Sequence, residues 1–434
     1  MLNCRAAAII RPLPGHTHNL NAINADASSG DEGLIEFLEG RGRSSSPRRA
    51  VLKPGVQAFD DVEVALRMDA DDAWSVEIKE GRLGLFGQGS STQIFGDPDV
   101  LEAIIKGTAS GIEAFLEGRV RVRGNIALSL QIEGMFAARA RPKRFPRPAF
   151  INAGGIDTFF LEAGSGPPVI LLHGLGATNT SMLPTLWELA RDHRVFAPDL
   201  PGFGGSDKPL RTYDFAFFAR WLEDFMDAVG LKRAHLVGNS LGGRISLEAG
   251  LRLPERIDRL VLYCPSPAFL RGRQYIPFVR ILRPEMALVP MLLTHGTIAG
   301  VARSLFSDPE RLRPEWYDSF ADEFLRVFAS PRGRIAFFSA ARQVYLEPSR
   351  GEDGFWDRLP QLKAPALFIW GENDWLVPAS FERYVADALP SAKSVVLDDC
   401  GHVPQYEHPK QTHDLTRAFL DRKRKRPAKA WQTT

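Results

Sequence analysis

Six short apolar runs between residues 167 and 399 restrict the fold more than any other feature of the chain. They are PPVILLHG, VFAPDL, AHLVGN, RLVLYC, ALFIW and SVVLDD. A strand with one wetted face alternates apolar and polar residues, whereas a near-continuous apolar run suits a strand covered on both faces. Helical patterns lie between the runs. In FAFFARWLEDFMDAVG, Phe218, Trp221, Leu222, Phe225 and Val229 share one stripe. Buried strands alternating with amphipathic helices predict an α/β chain with a mostly parallel, doubly wound sheet.

From about Ser266 to Glu347 no such run interrupts, and the stretch is helical in pattern and rich in Phe, Leu and Arg. It reads as a helical cap, about 266–347, inserted into a sheet domain spanning 149–421. Within it, Met286 to Ala302 is uncharged but is broken by Pro290 and His295. It is shorter than the ~20 residues a membrane span needs and reads as buried helix.

The chain before residue 149 has a different texture. Residues 1–57 are rich in Ser, Gly, Asp and Arg and read as a disordered tail. Residues 58–136 read as a small α+β domain. VEVALRM alternates as a strand, and WSVEIKEGRLGLF as two strands about a turn. GDPDVLEAIIKG has Asp97 to cap a helix, Pro98 in its first turn and Gly107 to stop it. GIEAFLEGRV is a second helix, and VRVRGNIALSLQIEG alternates as a last strand. Residues 137–148 form a basic, proline-rich linker, expected to hold the two domains close without fusing them. Residues 422–434 form a basic tail.

Fifty-four Lys and Arg against 52 Asp and Glu leave a net charge of +2, so bulk charge makes no case for a nucleic-acid partner. The basic clusters Arg139–Pro148 and Asp421–Lys429 read first as solvated segments. Weak peripheral contact with an anionic membrane is the rival reading. Cys4, Cys264 and Cys400 lie far apart and show no metal spacing, which suggests reduced thiols and a cytoplasmic protein. The first residues carry too short an apolar run for a signal peptide. The glycines of DLPGFGGSD lack the G-x-G-x-x-G spacing, and no metal or organic cofactor is expected.

The third run leads to chemistry. GNSLGG sets Ser240 between Gly238 and Gly242, after a strand and before the helical LGGRISLEAGLR. G-x-S-x-G alone arises by chance in roughly one or two such chains in ten. Its placement in a strand-turn-helix setting is what a nucleophile elbow needs. A serine hydroxyl is a poor nucleophile without a histidine base, and that base needs a carboxylate. Downstream, ALFIW runs into GENDWLVP and places Asp374 past a strand end. SVVLDD runs into CGHVPQYEHP and places His402 past the next. Glu372 and Asp399 neighbour these positions and stand as rival acids, and His408 as a rival base. Cys400 reads as a packed thiol, and His173 as a residue that orients its loop.

The elbow, HGLG after the first run, DLPGFGGSDKP, GENDWLVP and CGHVP together resemble the α/β-hydrolase family over about 149–421. The resemblance implies Ser240 as nucleophile, Asp374 as acid and His402 as base. It implies an oxyanion hole from the backbone N–H groups of Leu175 and Leu241. Serine at the elbow argues against the haloalkane dehalogenase and epoxide hydrolase branches, which carry aspartate there. GNSLGG with CGH also looks like the meta-cleavage-product hydrolases, which break a C–C bond beside a ketone.

Residues 58–136 resemble the sterol-carrier-protein family of lipid-transfer domains. WSVEIKEGRLGLFG, GDPDVLEAIIKG and GIEAFLEGRVRVRGNIALSL carry the likeness. It implies an apolar tunnel, with Phe86, Ile94, Phe95, Leu101, Ile104, Ile105, Ile112, Phe115 and Leu116 as candidates to line it. A lipid module joined to an esterase-like domain makes a lipophilic ester the first expectation for substrate. C–C hydrolysis and a non-catalytic lipid carrier are the alternatives.

Overall fold

The computed structural model describes residues 7–10, 63–68, 74–79, 82–84, 92–123, 126–130, 133, 143–267, 285 and 293–421. Phe86, most of the N-terminal tail, much of the linker and residues 422–434 lie outside them.

The N-terminal unit has strands β1 (Ala7–Ile10), β2 (Glu63–Met68), β3 (Trp74–Lys79), β4 (Arg82–Gly84), β5 (Thr92–Gly96) and β6 (Val120–Arg123). Among the described residues they form one sheet in the order β1-β3-β4-β2-β5-β6. The first strand falls in the stretch read above as tail. It pairs antiparallel with β3, Ile10 opposite Trp74, so the tail reading is corrected at its four residues. Ala-Ala-Ile-Ile is apolar enough to add an edge strand. Helix Pro98–Ile105 starts on its proline and ends before Gly107, whose φ of 72° suits glycine. Asp97 stands at the N-cap without a side-chain cap bond. In helix Gly111–Leu116, Ser110 caps by accepting the Glu113 N–H. The long last strand expected from alternation is corrected too. It stops at Arg123, and Ile126–Ser129 is helical, with the turn-forming Gly-Asn pair between them in sequence.

The larger sheet contains all six apolar runs, as β9 (Pro168–Leu172), β10 (Arg194–Pro198), β11 (Ala234–Asn239), β12 (Ile257–Tyr263), β13 (Ala366–Gly371) and β14 (Lys393–Leu397). All pair in parallel. An antiparallel hairpin, β7 (Arg147–Ala153) and β8 (Ile156–Gly164), is added beside β10. The order among the described residues is β14-β13-β12-β11-β9-β10-β8-β7. The hairpin is not one of the six runs because β7 is an edge strand with Phe150 and Arg147 exposed. It takes Arg147 and Pro148 from the linker.

Each central strand buries both faces, which is why the runs are continuous. Ile170, Leu172, Leu236, Leu260 and Phe368 pack under Phe218, Trp221 and Phe225. Val169, Leu171, Val237, Val261 and Leu367 face Leu183, Leu186 and Phe419 on the other side. Truncating one such side chain to alanine costs about 2–5 kcal/mol.

The second face does not end at the domain boundary. Ile94, Leu101, Ile104, Ile112, Phe115, Val120 and Val122 of the N-terminal unit belong to the same hydrophobic cluster as Leu183 and Leu186. The two units therefore share a core, closer than the linker reading anticipated.

The cap comprises helices His295–Ser304, Pro314–Ala329 and Pro331–Leu346 among the described residues. Of the stretch read as buried helix, the described part, from His295, buries Ile298 and Ala302 but leaves Val301 exposed, so that helix is amphipathic. No described helix is long and apolar enough to cross a membrane.

Candidate active site

Strand β11 turns into helix Leu241–Arg252 through a single residue, Ser240, whose φ of 53° is rare for a side-chain-bearing residue. Glycine is obligatory on both sides. A β-carbon on Gly238 would lie 2.4 Å from the Gly242 backbone, and one on Gly242 only 2.1 Å from the Leu172 carbonyl oxygen. The turn sets Ser240 at the start of a helix whose first N–H groups, Leu241 included, have no partner within the helix. Such a terminus favours negative charge.

The loop after β9 comes up beside it. A β-carbon on Gly174 would sit 3.5 Å from Ser240 Cβ. His173 fixes this loop. Its Nδ1 donates to the Gly174 carbonyl at 2.8 Å, and its Nε2 accepts the Leu200 N–H at 2.9 Å. Complete burial pushes this imidazole down to about 4, so it stays neutral and structural. Leu175 follows in the same loop and packs against Phe324 and Phe337 of the cap. At Gly176, with φ of 74°, a β-carbon would meet those two rings at 2.9 and 3.0 Å.

Past β13 and β14 the two loops bring Asp374 and His402 together. His402 Nδ1 donates to Asp374 Oδ2 at 2.7 Å. Asp374 Oδ1 accepts the N–H groups of Leu376 and Val377, both at 2.9 Å. The two side chains are almost fully buried. The rivals are engaged elsewhere. Glu372 accepts the Asp399 N–H. Asp399 is held below the usual carboxylate range by the Ser307 hydroxyl and by Arg311. His408 bonds Arg311 and the Asp399 carbonyl.

Several residues that the motifs did not flag tie the parts together. Asn239 Nδ2 donates to the His402 carbonyl at 3.2 Å, linking elbow to histidine loop. The His402 N–H donates to Leu305 O, at the end of a cap helix, at 2.7 Å. Glu407 accepts from Gly401 N and Ser307 N. Cys264, with φ of 40°, presents its sulfur within 4.8 Å of donor atoms of Asp374 and His402. Among the described residues this trio could hold a metal ion, although the Asp374–His402 hydrogen bond already engages two of its members. Burial pushes both the Cys264 and the Cys400 thiols up, so neither is a thiolate at neutral pH. Asn239 stands inside the GNSLGG motif and Cys400 inside CGHVP, but neither motif shows the contacts these residues make with other loops.

In the N-terminal unit, Ile94, Ile104, Ile112 and Phe115 line a small cavity with Val120, Val122, Ile126, Leu130 and, from the sheet domain, Leu183. Leu101 and Ile105 are buried in the same cluster. Phe95 is half-buried beneath the Arg121 guanidinium, 5.9 Å from its ring centre. Leu116 packs at the seam with the cap, among Trp316, Tyr317 and Tyr406. Neither Phe95 nor Leu116 lines the cavity, because alternation on β5 and the helical turn aim them outward.

A buried carboxylate–imidazole pair whose histidine bonds through its carbonyl to Asn239, the residue before a strained serine at a helix N-terminus, can support nucleophilic attack on a carbonyl. A family model described as alpha/beta hydrolase fold matches residues 167–409, and one described as SCP-2 sterol transfer family matches 51–137. Relatives include a 2-hydroxymuconate semialdehyde hydrolase of Pseudomonas sp., 30% identical over 62% of this chain and 92% of its own. Another is a 2-hydroxy-6-oxo-6-phenylhexa-2,4-dienoate hydrolase of Burkholderia cepacia, 30% identical over 62% of this chain and 94% of its own. Among solved structures, a bacterial membrane phospholipase A is 28% identical, covering 64% of this chain and 86% of its own, with a TM-score of 0.54. A serine hydrolase of carbazole degradation is 26% identical over 63% and 98%, with a TM-score of 0.52.

Proposed function

The chain belongs to the alpha/beta hydrolase fold family, and from that premise we propose that it cleaves a lipophilic carboxylic ester through an acyl-enzyme on Ser240. The observation that carries the reading is the 2.7 Å Asp374–His402 pair, held in a loop that bonds to the elbow residue Asn239. In this reading Asp374 holds His402 in the tautomer with a proton on Nδ1, leaving Nε2 to take the Ser240 proton. The serine oxygen attacks the ester carbonyl. The oxyanion is met by the backbone N–H groups of Leu175 and Leu241. His402 then gives its proton to the leaving alcohol, and water repeats the sequence to release the acid.

The substrate class follows from the cap. Phe324 and Phe337 cover the Leu175 loop, and Phe328 and Phe338 pack edge-on to Phe337. That is a surface for an uncharged apolar group. The N-terminal unit, by its match to the sterol-transfer model, is proposed to hold a lipid beside the hydrolase.

A second reading, cleavage of a C–C bond in a dienol ketone, is favoured by the names of two relatives. The substrates those names print carry a carboxylate before cleavage, whereas an ester is uncharged, so the second reading calls for a cation facing the substrate. Arg326 of the cap is paired with Glu323, and Arg244 beyond the elbow with Glu248 and Glu347. Among the described residues both of these arginines already hold carboxylates, which supports the ester reading. The test is turnover of p-nitrophenyl esters of rising chain length against a 2-hydroxy-6-oxo-dienoate. Faster cleavage of medium-chain esters is expected. Efficient turnover of the dienoate with esters left intact would favour the second reading.

A further inference from the structure

Two side chains connect the N-terminal unit to both catalytic loops. Trp316, on the cap helix Pro314–Ala329, and Leu116 of the N-terminal unit pack against the same buried cluster, which holds Phe306, Tyr317 and Tyr406. Trp316 also meets the Tyr406 ring, with ring centres 4.6 Å apart. Tyr406 stands on the short helix Pro404–Glu407 that follows His402. Its hydroxyl donates to the Thr180 carbonyl at 3.0 Å, and the neighbouring Gln405 amide donates to the Ser181 carbonyl at 3.3 Å. Thr180 and Ser181 lie in the turn Asn179–Met182 that continues the loop of Leu175. Thus one buried phenol joins the histidine segment to the oxyanion segment, and one indole joins that phenol to the N-terminal unit.

The seat of Trp316 is itself fastened to that unit. Ser319, one turn along the cap helix, donates its hydroxyl to the Val122 carbonyl at 2.6 Å. Arg313, just before the helix, reaches the Gly118 carbonyl at 3.4 Å. The Gly118 turn is so close that a β-carbon there would overlap the Arg313 side chain.

We propose that Trp316 and Tyr406 are positioning residues through which the N-terminal unit holds the His402 loop and the Leu175 loop in register. This rests on the triad reading above. Its physical basis is that reacting groups tolerate little displacement: an error of about 1 Å can cost on the order of a hundredfold in rate. The phenol fixes that spacing by its hydrogen bond to Thr180 and the indole by ring contact, rather than by bulk packing alone.

The experiment uses the full chain and p-nitrophenyl butyrate. Tyr406→Phe keeps the ring and deletes the bond to Thr180. Trp316→Leu keeps an apolar side chain and deletes the ring contact with Tyr406. Each is expected to lower kcat about tenfold with KM little changed, and the double variant to be no worse than the poorer single one, as coupled residues behave. Leu116→Ala, which lies wholly in the N-terminal unit, is expected to lower kcat in the same direction by about threefold. Melting curves and circular dichroism establish that each variant is folded. Lowered melting temperatures with parental kcat would mean packing alone and overturn the proposal. So would additive losses in the double variant, or a parental kcat in Leu116→Ala while the other two fall. Ser240→Ala is measured alongside. Retained activity there would overturn the triad reading, whereas an inactive Ser240→Ala with parental rates in the other three would overturn only this proposal.

Discussion

What separates Asp374 from the carboxylates around it is what each already holds. Asp374 takes two backbone N–H groups on one oxygen and the His402 imidazole on the other. Glu372 and Asp399 are committed to a backbone N–H and to Arg311. The motif resemblance pointed to Asp374 with Glu372 and Asp399 as rivals; the contacts that set them apart lie outside the loop, 28 residues away for Asp374, 27 for Glu372 and 88 for Asp399 with Arg311. The choice has a kinetic signature. Ser240→Ala and His402→Ala should each remove nearly all esterase activity, and the double variant should be no slower than either, measured by steady-state hydrolysis. Asp374→Asn should be severely impaired while Asp399→Asn stays within a few-fold of the parent. Two other histidines govern stability. His173 and His413 are buried, and burial lowers both to about 4. The unfolded chain, with histidines near 6.5, binds more protons than the folded one between those values. Their contribution is therefore complete above about pH 6.5 and is lost as the pH falls toward 4. Melting temperature should drop between pH 7 and pH 5, and His413→Gln should shrink that drop. An equal drop in the variant would count against burial of a neutral His413.

At the scale of the element, five of the six runs were legible because burial on both faces leaves little room for polar residues; the sixth, SVVLDD, is instead the edge strand β14, with Val396 exposed. The β7–β8 hairpin was not legible, since an edge strand with exposed Phe150 has no such signature. Alternation overextended the last strand of the N-terminal unit for the opposite reason: Ile126 and Leu130 continue the apolar pattern, but on a helical turn. The elbow could be read at short range because its constraint is steric and local. Gly242→Ala places a β-carbon 2.1 Å from a backbone oxygen that cannot move without breaking β9. It should yield insoluble protein or a large fall in melting temperature, whereas Gly296→Ala, in open space, should be neutral. On the cap, the cluster of Phe324, Phe328, Phe337 and Phe338 faces the Leu175 loop. Phe337→Ala should raise KM for medium-chain esters more than for acetate, read as a change in the chain-length profile. An unchanged profile would place the acyl group elsewhere.

For the whole molecule, composition and texture divided the chain into two units but could not show that they share a core. That fact depends on Leu183 and Leu186 of the sheet domain meeting Ile112 and Phe115, residues that look like ordinary core in either unit alone. Deleting everything before residue 143 would expose this surface. The remaining fragment should melt at a lower temperature than the full chain, and co-melting temperatures would show the shared core to be without effect. The chain pairs an alpha/beta hydrolase fold with a stretch that matches the SCP-2 sterol transfer family model. The central claim, that Ser240 is an activated nucleophile, is open to one direct measurement. The full chain is treated with a fluorophosphonate, and intact mass, site of modification and residual esterase activity are followed together. The account requires a single adduct, located on the peptide containing Ser240, with activity falling in proportion to labelling. Full activity in the stoichiometrically labelled protein, or ester turnover by protein that takes up no label at Ser240, would contradict it.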